Sequence, residues 1–232
     1  MQYVSTAAGS SEAGLTRRCN VVDLGLTNYG DCLELQRALL LLRQNSTVCD
    51  TLLLTEHNPV ITFGRGYRDE TPQLPIPVYH VERGGEGTYH GPGQIVAYPV
   101  MNLTENGVGV RTLVSKVLNA AVYALSIQGI TSEARFEPVG VWAGDRKIAS
   151  LGIAVKRWVS FHGIAINVNN TLDGFAYIQP CGMNASTITS AKKLLGRDID
   201  ISMMKEDFVS DFMREFSFEP HQVKIGELLP GR

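Results

Sequence analysis

What the sequence lacks excludes several classes of protein. No apolar run approaches the roughly 20 residues that a membrane-spanning helix needs, and the run Ala38 to Leu42 falls in an amphipathic segment. A formal net charge of -2 over 232 residues offers no excess of positive charge for nucleic acid or an anionic membrane. There is no internal repeat or low-complexity block. We therefore expect a single globular domain with neither nucleic acid nor membrane as partner.

Cysteine is also scarce. The four cysteines share no C-x-x-C spacing, and the histidines form no H-E-x-x-H motif, so we expect neither a zinc site nor a disulfide framework, and no cofactor. Free thiols indicate a reducing compartment, either the cytoplasm or a mitochondrial or plastid matrix. The role of a small buried hydrophobe suits Cys32 on a helix face well, and Cys19 and Cys49 passably.

The first residues differ in composition from the rest. Residues 1–18 are rich in Ser, Ala and Gly and contain no apolar segment of the kind that a secretory signal requires. We expect 1–18 to be a disordered tail and 19–232 to be one catalytic domain, active as a monomer.

Hydrophobic periodicity predicts helices that flank two groups of strands. Three-to-four spacing favours helices over 28–44, 109–128 and 202–216, the second ending at Gly129. Strands are predicted at 20–24, 51–55, 60–63, 78–81, 95–98, 139–142, 147–155 and 159–168. The irregular spacing argues against a doubly wound fold. It indicates an α/β domain of the α+β type, with a mixed, largely antiparallel central sheet flanked by helices.

A glycine-rich segment stands in the middle of this pattern. Five glycines fall within the eleven residues 83–93, together with Arg83, Tyr89 and His90. Glycine permits positive φ and close approach of a ligand to the backbone, and exposed N–H groups can hold an anion or a carbonyl oxygen. A surface hairpin would look similar, so this segment alone does not establish a site.

Cys181 is the cysteine that a packing role fits least. It lies in Gln179-Pro180-Cys181-Gly182-Met183, where proline and glycine indicate a tight, exposed turn. An accessible thiol becomes a nucleophile when a neighbour lowers its pKa. A single cysteine is weak evidence, and the sequence leaves both a catalytic and an inert Cys181 open.

Lys147 begins a strand that is otherwise almost entirely apolar, after a Gly144-Asp145 turn. It is either a charged residue that protects a strand end or a lysine whose stem is buried and whose amine faces a site. Burial would lower its pKa, so that the amine can accept a proton from a thiol; as a cation it would stabilise a thiolate.

A later strand, Ser160 to Asn167, carries polar residues among apolar ones. His162 and Asn167 either satisfy buried backbone groups or line a pocket, and Gly163 would allow a ligand to approach that strand closely. His57 and His90 are further histidines at predicted strand ends or loops. We regard His57, His162 and Asn167 as possible support for a pocket.

Taken together, these stretches resemble the lipoyl(octanoyl) transferases. The resemblance runs from about Leu52 to Ser190 and rests on an ordered series of motifs: Glu56-His57-Asn58-Pro59-Val60, Arg83-Gly84-Gly85 through Thr88-Tyr89-His90-Gly91-Pro92-Gly93-Gln94, Gly140-Val141-Trp142, Arg146-Lys147-Ile148-Ala149-Ser150-Leu151-Gly152, His162-Gly163 with Asn167, and Pro180-Cys181-Gly182. Glu86-Gly87 departs from the usual pattern of the family.

The resemblance implies the fold of biotin and lipoate protein ligases and a transfer of octanoate. The donor would be octanoyl-acyl carrier protein, and the acceptor a lysine on a lipoyl domain of a 2-oxoacid dehydrogenase complex or the glycine-cleavage protein. Cys181 would carry the acyl thioester and Lys147 would lower the pKa of its thiol. Three stretches would line the acyl site: Arg83, Gly84, Gly85, Glu86, Gly87, Thr88, Tyr89 and His90; Ser150, Leu151 and Gly152; and Gly163, Ile164 and Ala165.

Three other activities remain open. A lipoate or biotin ligase of the same fold would use ATP and need no nucleophilic cysteine. A non-catalytic protein could bind acyl chains without a covalent adduct. A cysteine hydrolase would need a histidine base, for which His162 and His90 are the candidates, and would release free acid.

Overall fold

The computed structural model describes residues 17–68, 73–178 and 187–229. The strands in chain order are β1 (Arg17–Thr27), β2 (Asp50–His57), β3 (Val60–Phe63), β4 (Val78–His80), β5 (Gly87–His90), β6 (Gln94–Val100), β7 (Glu133–Phe136), β8 (Val139–Ala143), β9 (Arg146–Lys156), β10 (Val159–Asn167) and β11 (Phe218–Gln222). The helices are α1 (Tyr29–Gln44), α2 (Val110–Ile127), α3 (Ala191–Leu195), α4 (Ile201–Phe216) and α5 (Ile225–Leu228), with a 3-10 helix at Asp173–Tyr177.

Within the described part of the chain, the strands form one large and one small sheet. The large sheet has the order β11-β1-β2-β6-β10-β9-β8-β7. Strand β1 pairs in parallel with both β11 and β2, and the other neighbours are antiparallel. The small sheet has the order β4-β3-β5, with β4 parallel and β5 antiparallel to β3. The predicted mixed, largely antiparallel sheet is therefore confirmed.

Strand alternation gives the large sheet two apolar faces. Leu52 and Leu54 belong to the core that α2 and α4 cover, whereas Leu53 between them belongs to the core under α1. On the first face α4 contributes Phe208 and Phe212, both fully buried. A sheet with helices on both faces results, as predicted.

Helix α2 is long and apolar enough to cross a membrane by length and composition alone. Its buried positions include Leu113, Val117, Leu118 and Leu125, which join the core between the sheet and α4. This spacing is that of an amphipathic core helix. Gly129 follows the helix with φ of +84°, which confirms the predicted end of the helix.

The observed elements differ from the predicted ones mainly at strand ends. Strand β1 begins at Arg17, so residues 17 and 18 belong to the sheet and not to the predicted tail. Strand β2 continues to His57 because the Asn58-Pro59 pair alone makes the turn into β3. Five short elements were not predicted: β5, β7, β11, α3 and α5.

Candidate active site

A cavity of about 50 Å³ lies between the glycine-rich segment and the face of the large sheet that packs against α1. Side chains and backbone from both sheets and α1 line it. The lining residues are Tyr29, Arg83, Gly84, Gly85, Glu86, Gly87, Thr88, His90, Val96, Tyr98, Val139, Lys147, Ser150, Leu151, Gly152, His162, Gly163, Ile164 and Ala165.

Arg83 holds the glycine-rich segment in place. Its side chain is buried, and Nη2 donates to the carbonyl oxygen of Thr62 at 2.6 Å and to Thr62 Oγ1 at 2.9 Å. Nη1 donates to the carbonyl oxygen of Gly84 at 3.0 Å. The Gly84 N–H donates to the carbonyl oxygen of Ile153 on β9. Arg83 therefore orders the cavity wall through bonds to the protein itself.

The glycines bring backbones close together. A Cβ atom on Gly152 would lie 2.8 Å from Arg83 Cδ and 2.9 Å from the Gly84 carbonyl oxygen, so only glycine fits where β9 meets the segment. At Gly163 a Cβ would overlap the carbonyl oxygen of Ala97 on β6. Strand pairing therefore requires glycine at this position, and Gly163 also lines the cavity, so its role beside a ligand stays a prediction.

Lys147 is buried at the cavity wall, with 2% of its surface exposed. It is the second residue of β9 and pairs with Trp142 on β8. Its Nζ lies 5.9 Å from the centroid of the Trp142 ring, and Arg135 Cζ lies 4.9 Å from the same ring. Lys147 is therefore a lysine with a buried stem and an amine that faces a site, and not a charged residue at a solvated strand end.

The chain on either side of the Cys181 segment contacts this wall. The Thr189 N–H donates to the Lys147 carbonyl oxygen at 2.9 Å, and Ile188 forms an isolated parallel bridge with Lys147. Before the segment, Ile178 is buried, and its Cβ would lie 3.6 Å from a Cβ on Gly87. Cys181 itself lies outside the described residues, three positions after Ile178.

A buried hydrogen-bond chain joins His90 to Thr189, in the chain that follows that segment. His90 Nδ1 is 2.7 Å from Gln94 Oε1, and Gln94 Nε2 donates to Asn167 Oδ1 at 2.9 Å. Asn167 Nδ2 donates to the Thr189 carbonyl oxygen at 3.0 Å. Because Gln94 uses its NH₂ group toward oxygen acceptors, its own oxygen faces His90, and His90 Nδ1 carries the proton.

Aromatic and imidazole rings pack together beside the cavity. Tyr29 stacks on His90 with ring centroids 5.8 Å apart, and His57 Nε2 is 2.8 Å from the Tyr98 hydroxyl. Burial lowers the pKa of His90 to about 3 and that of His57 to about 4. Both rings are therefore neutral at physiological pH.

His162 lines the cavity in a strained conformation. Its φ is +56° in the middle of β10, and its N–H donates to Gln36 Oε1 at 2.9 Å. His162 Nε2 lies 3.4 Å from Glu82 Oε2, and Arg37 pairs with the other oxygen of Glu82 at 2.8 Å. Burial lowers the pKa of His162 to about 4 against the opposing attraction of Glu82.

The other cysteines are placed away from the cavity wall. Cys19 and Cys32 are fully buried; burial raises the pKa of the Cys32 thiol to about 12 and that of Cys19 further still. Cys49 is exposed, so its expected burial was wrong: it lies at the loop before β2, outside the core. Buried thiols of raised pKa are poor nucleophiles.

The structure places most predicted site residues around one cavity. Tyr89 is an exception, because its ring packs at 5.5 Å against Phe175 in the core of the small sheet. His57 lies behind Tyr98, and Asn167 acts through Gln94, so both support the cavity without lining it. The sequence analysis missed Tyr29, Val96, Tyr98 and Val139. The alternation of β6, which puts Val96 and Tyr98 on one face, could have indicated those two.

Within the described ranges, no group of three or more His, Cys, Asp or Glu side chains is arranged to hold a metal ion. The polar groups of the described wall are the Lys147 amine, the His90 and His162 imidazoles, the Arg83 guanidinium, the Glu86 carboxyl, backbone groups, and the hydroxyls of Tyr29, Tyr98, Thr88 and Ser150.

Comparison with known proteins identifies the family. Residues 28–213 match the lipoyl protein ligase A/B catalytic domain. The octanoyltransferase of Desulforamulus reducens is 37% identical over 221 residues, covering 90% of this chain and 97% of the relative. That of Syntrophobacter fumaroxidans is 39% identical over 222 residues, covering 92% and 97%. This chain belongs to the octanoyltransferase family. Its members are acyltransferases of lipoate biosynthesis.

Solved structures support the fold. A bipartite lipoate protein ligase from Thermoplasma acidophilum superposes with a TM-score of 0.67 at 14% identity, covering 91% of this chain and 88% of that one. Biotin protein ligase from Aquifex aeolicus, in complex with biotin and ATP, gives 0.53 at 16% identity, covering 85% and 70%. The predicted biotin/lipoate ligase-like fold is confirmed.

Proposed function

We propose that this chain transfers the octanoyl group of octanoyl-acyl carrier protein to a lysine of lipoyl domains, through a thioester on Cys181. The observation that carries this proposal is the position of Lys147, buried in the cavity wall and hydrogen-bonded through its backbone to Thr189. Thr189 and Ile178 bracket the sequence that contains Cys181, and both ends contact the wall.

Two transfers divide the reaction. In the first, the Cys181 thiolate attacks the thioester carbon of the donor, a new C–S bond forms, and the carrier thiol leaves with the proton that Lys147 took from Cys181. In the second, the acceptor amine attacks the acyl-enzyme, a C–N bond forms, and the Cys181 thiolate leaves while Lys147 takes the amine proton. No oxidant, metal or nucleotide is needed for either step.

The cavity suits this chemistry. Val96 and Ala165, which belong to the core under α1, give it apolar walls for an alkyl chain. His90, which lines the cavity, is neutral and adds no charge to its wall. The Lys147 amine lies over the indole ring of Trp142, 5.9 Å from its centroid, where a cation is favoured.

Partners and compartment follow from the same proposal. The donor is an acyl carrier protein, and the acceptors are lipoyl domains of 2-oxoacid dehydrogenase complexes and the glycine-cleavage protein. We propose that the protein acts as a monomer in the cytoplasm, with an organellar matrix as the alternative.

The rival that the fold itself favours is an ATP-dependent ligase, since the biotin ligase neighbour was solved with biotin and ATP. The test combines purified enzyme, octanoyl-acyl carrier protein and an apo lipoyl domain without nucleotide, and follows the mass of the lipoyl domain. A gain of one octanoyl group supports the transferase. Modification that appears only with ATP and free octanoate would establish the ligase.

A further inference from the structure

One row of the large sheet forms the floor of the cavity. Ser150 on β9 pairs with Gly140 on β8 on one side and with Ala165 on β10 on the other. Ala165 pairs in turn with Val96 on β6. Residues that pair directly across strands direct their side chains to the same face, and Ser150, Ala165 and Val96 all line the cavity. The floor therefore runs across the strands, from β8 to β6.

The amine of Lys147 lies at the β8 end of this floor. A Cβ atom on Gly140 would lie 2.5 Å from Lys147 Cε and 3.4 Å from Lys147 Nζ. The lysine stem therefore occupies the space that a side chain at Gly140 would take. In the proposed function Lys147 exchanges protons with the reacting groups, so the reacting end of the acyl group belongs at β8.

The rows on either side of the floor are closed by packing and hydrogen bonds. On one side the glycine-rich segment packs on β9, because a Cβ on Gly152 would lie 2.8 Å from Arg83 Cδ and 2.9 Å from the Gly84 carbonyl oxygen. On the other side Gln94 pairs with Asn167, and their side-chain amides are hydrogen-bonded at 2.9 Å. An alkyl chain therefore fits along the floor, from β8 toward β6.

The row leaves the cavity beyond Val96. Thr55 on β2 pairs with Val96 and is fully buried, and its hydroxyl oxygen lies 2.9 Å from that of Thr27 on β1. From above, the Tyr29 ring of α1 covers the same end, with its centroid 5.2 Å from that of the His57 ring on β2. The floor therefore ends at β6.

The length of the floor matches an eight-carbon chain. Gly140 and Val96 are three strand spacings apart, about 14 Å at roughly 4.8 Å for each spacing. The seven carbon–carbon bonds of an extended octanoyl chain span about 9 Å, at about 1.5 Å per bond. The remaining distance of about 5 Å is close to one van der Waals contact of about 4 Å. Two further methylene groups would add about 2.5 Å and overlap the Val96 side chain.

We propose that the acyl chain lies across the sheet over Ser150 and Ala165, and that Val96 sets the longest chain that the enzyme accepts. The substrate class is a straight-chain acyl thioester of about eight carbons. This inference rests on the function proposed above and adds to it the residue that selects chain length.

The test measures kcat/KM for one acyl carrier protein loaded with hexanoyl, octanoyl, decanoyl or dodecanoyl chains, with an apo lipoyl domain as acceptor. Val96→Ala lengthens the floor, so the decanoyl-to-octanoyl ratio of kcat/KM should rise at least about tenfold, since one methylene in an apolar pocket is worth about 10–200-fold. Val96→Ile adds one methyl group and should raise the hexanoyl-to-octanoyl ratio by about tenfold.

Ala165→Val tests the path of the chain. It places a larger side chain on the floor one strand before Val96. The hexanoyl-to-octanoyl ratio should therefore rise here as well, by about tenfold or more.

Two controls match these variants. Val100→Ala alters a fully buried valine on β6, and Ala154→Val alters a buried alanine on β9. Both residues belong to the same core under α1, and neither lines the cavity. They should keep every ratio of kcat/KM within about twofold, while urea unfolding shows losses of stability comparable to those of the test variants.

Three results would overturn the proposal while leaving the transfer reaction intact. They are length ratios that stay the same in Val96→Ala and Val96→Ile, equal changes of these ratios in the control variants, and an unaltered enzyme that prefers dodecanoyl chains. If Val96→Ala does not fold, Val96→Ile decides, because its expected shift has the opposite direction. Failure of the unaltered enzyme to transfer any of the four chains would instead reject the proposed function.

Discussion

The Thr189 N–H donates a hydrogen bond of 2.9 Å to the carbonyl oxygen of Lys147. This bond fixes the chain that follows the Cys181 segment to the strand that carries the proposed base. Asn167 adds a second attachment, because its amide donates to the Thr189 carbonyl oxygen. Through these two bonds, Thr189 links the backbone of Lys147 to the hydrogen-bonded side chains of Asn167, Gln94 and His90.

The pairing of Cys181 with Lys147 makes a prediction about thiol reactivity. Cys181→Ser should nearly abolish transfer, because the hydroxyl is a much weaker nucleophile. Lys147→Ala should raise the apparent pKa of the reactive thiol, since a neighbouring cation favours the thiolate. The measurement is the rate of thiol alkylation against pH in the unaltered enzyme and the lysine variant. Identical curves would reject the pairing.

Cys32→Ala is the control for the assignment of Cys181 as the nucleophile. Cys32 is fully buried on α1, and burial raises the pKa of its thiol to about 12. Cys32→Ala should therefore keep the transfer rate and the alkylation profile of the unaltered enzyme. A large loss of activity in this variant would mean that the wrong thiol carries the reaction.

Asn167→Ala should break the hydrogen-bonded link between Gln94 and Thr189. It removes bonds to Gln94 and Thr189, and we expect a loss of about 1–3 kcal/mol in the free energy of unfolding, with acylation slowed roughly tenfold or more. Urea unfolding and single-turnover acylation measure the two effects.

Asn169→Ala is the matched control for that experiment. Asn169 makes two bonds of similar length to Ile199, outside the cavity. A comparable loss of stability with an unchanged acylation rate is expected. If both asparagine variants slow acylation equally, Asn167 acts through general stability and not through Thr189.

Gly163→Ala tests the finding that close strand pairing requires glycine there. The added Cβ would overlap the Ala97 carbonyl oxygen, and we expect about 3 kcal/mol or more of destabilisation. Gly109→Ala is the comparison, since nothing lies within 4 Å of a Cβ there. Thermal unfolding of the two variants decides the point; equal melting temperatures would contradict the structure.

The buried histidines make stability depend on pH. The pKa values of His57 and His90 fall from 6.5 to about 4 and about 3 on folding, so the unfolded chain binds more protons between these values. Their contribution is fully present above pH 6.5 and is lost as pH falls toward 4 and below. The slope is on the order of 1.4 kcal/mol per pH unit for each ring.

Urea unfolding between pH 7.5 and 5 measures this loss. His90→Gln should show a shallower dependence, whereas His221→Gln, at an exposed position on β11, should show the slope of the unaltered protein. A slope that is the same in all three proteins would mean that the buried rings are protonated in the folded state.

Much of the fold could be predicted because hydrophobic periodicity is local. The three long helices were found to within about two residues, since each carries a buried stripe. Strand β5 was missed because its glycine-rich sequence indicates a turn, and only pairing with β3 makes it a strand.

The residues of the candidate site were likewise predicted only in part. Lys147, Arg83 and Gly163 could be singled out because they stand out among apolar or turn-forming neighbours, whereas Gly152 came only from the resemblance to the family. Tyr29 could not be found, since its place beside His90 depends on how α1 packs over the sheet. The bonds from Arg83 to Thr62 could not be predicted either, since the two residues are brought together only by the packing of the small sheet.

The central claim is a covalent acyl-enzyme on Cys181, and intact-protein mass tests it most directly. The enzyme is mixed with octanoyl-acyl carrier protein, with neither ATP nor acceptor present. We predict a gain of one octanoyl group that is labile to hydroxylamine and absent in Cys181→Ser. An enzyme that gains no mass, yet modifies the lipoyl domain when ATP and octanoate are supplied, would contradict the account.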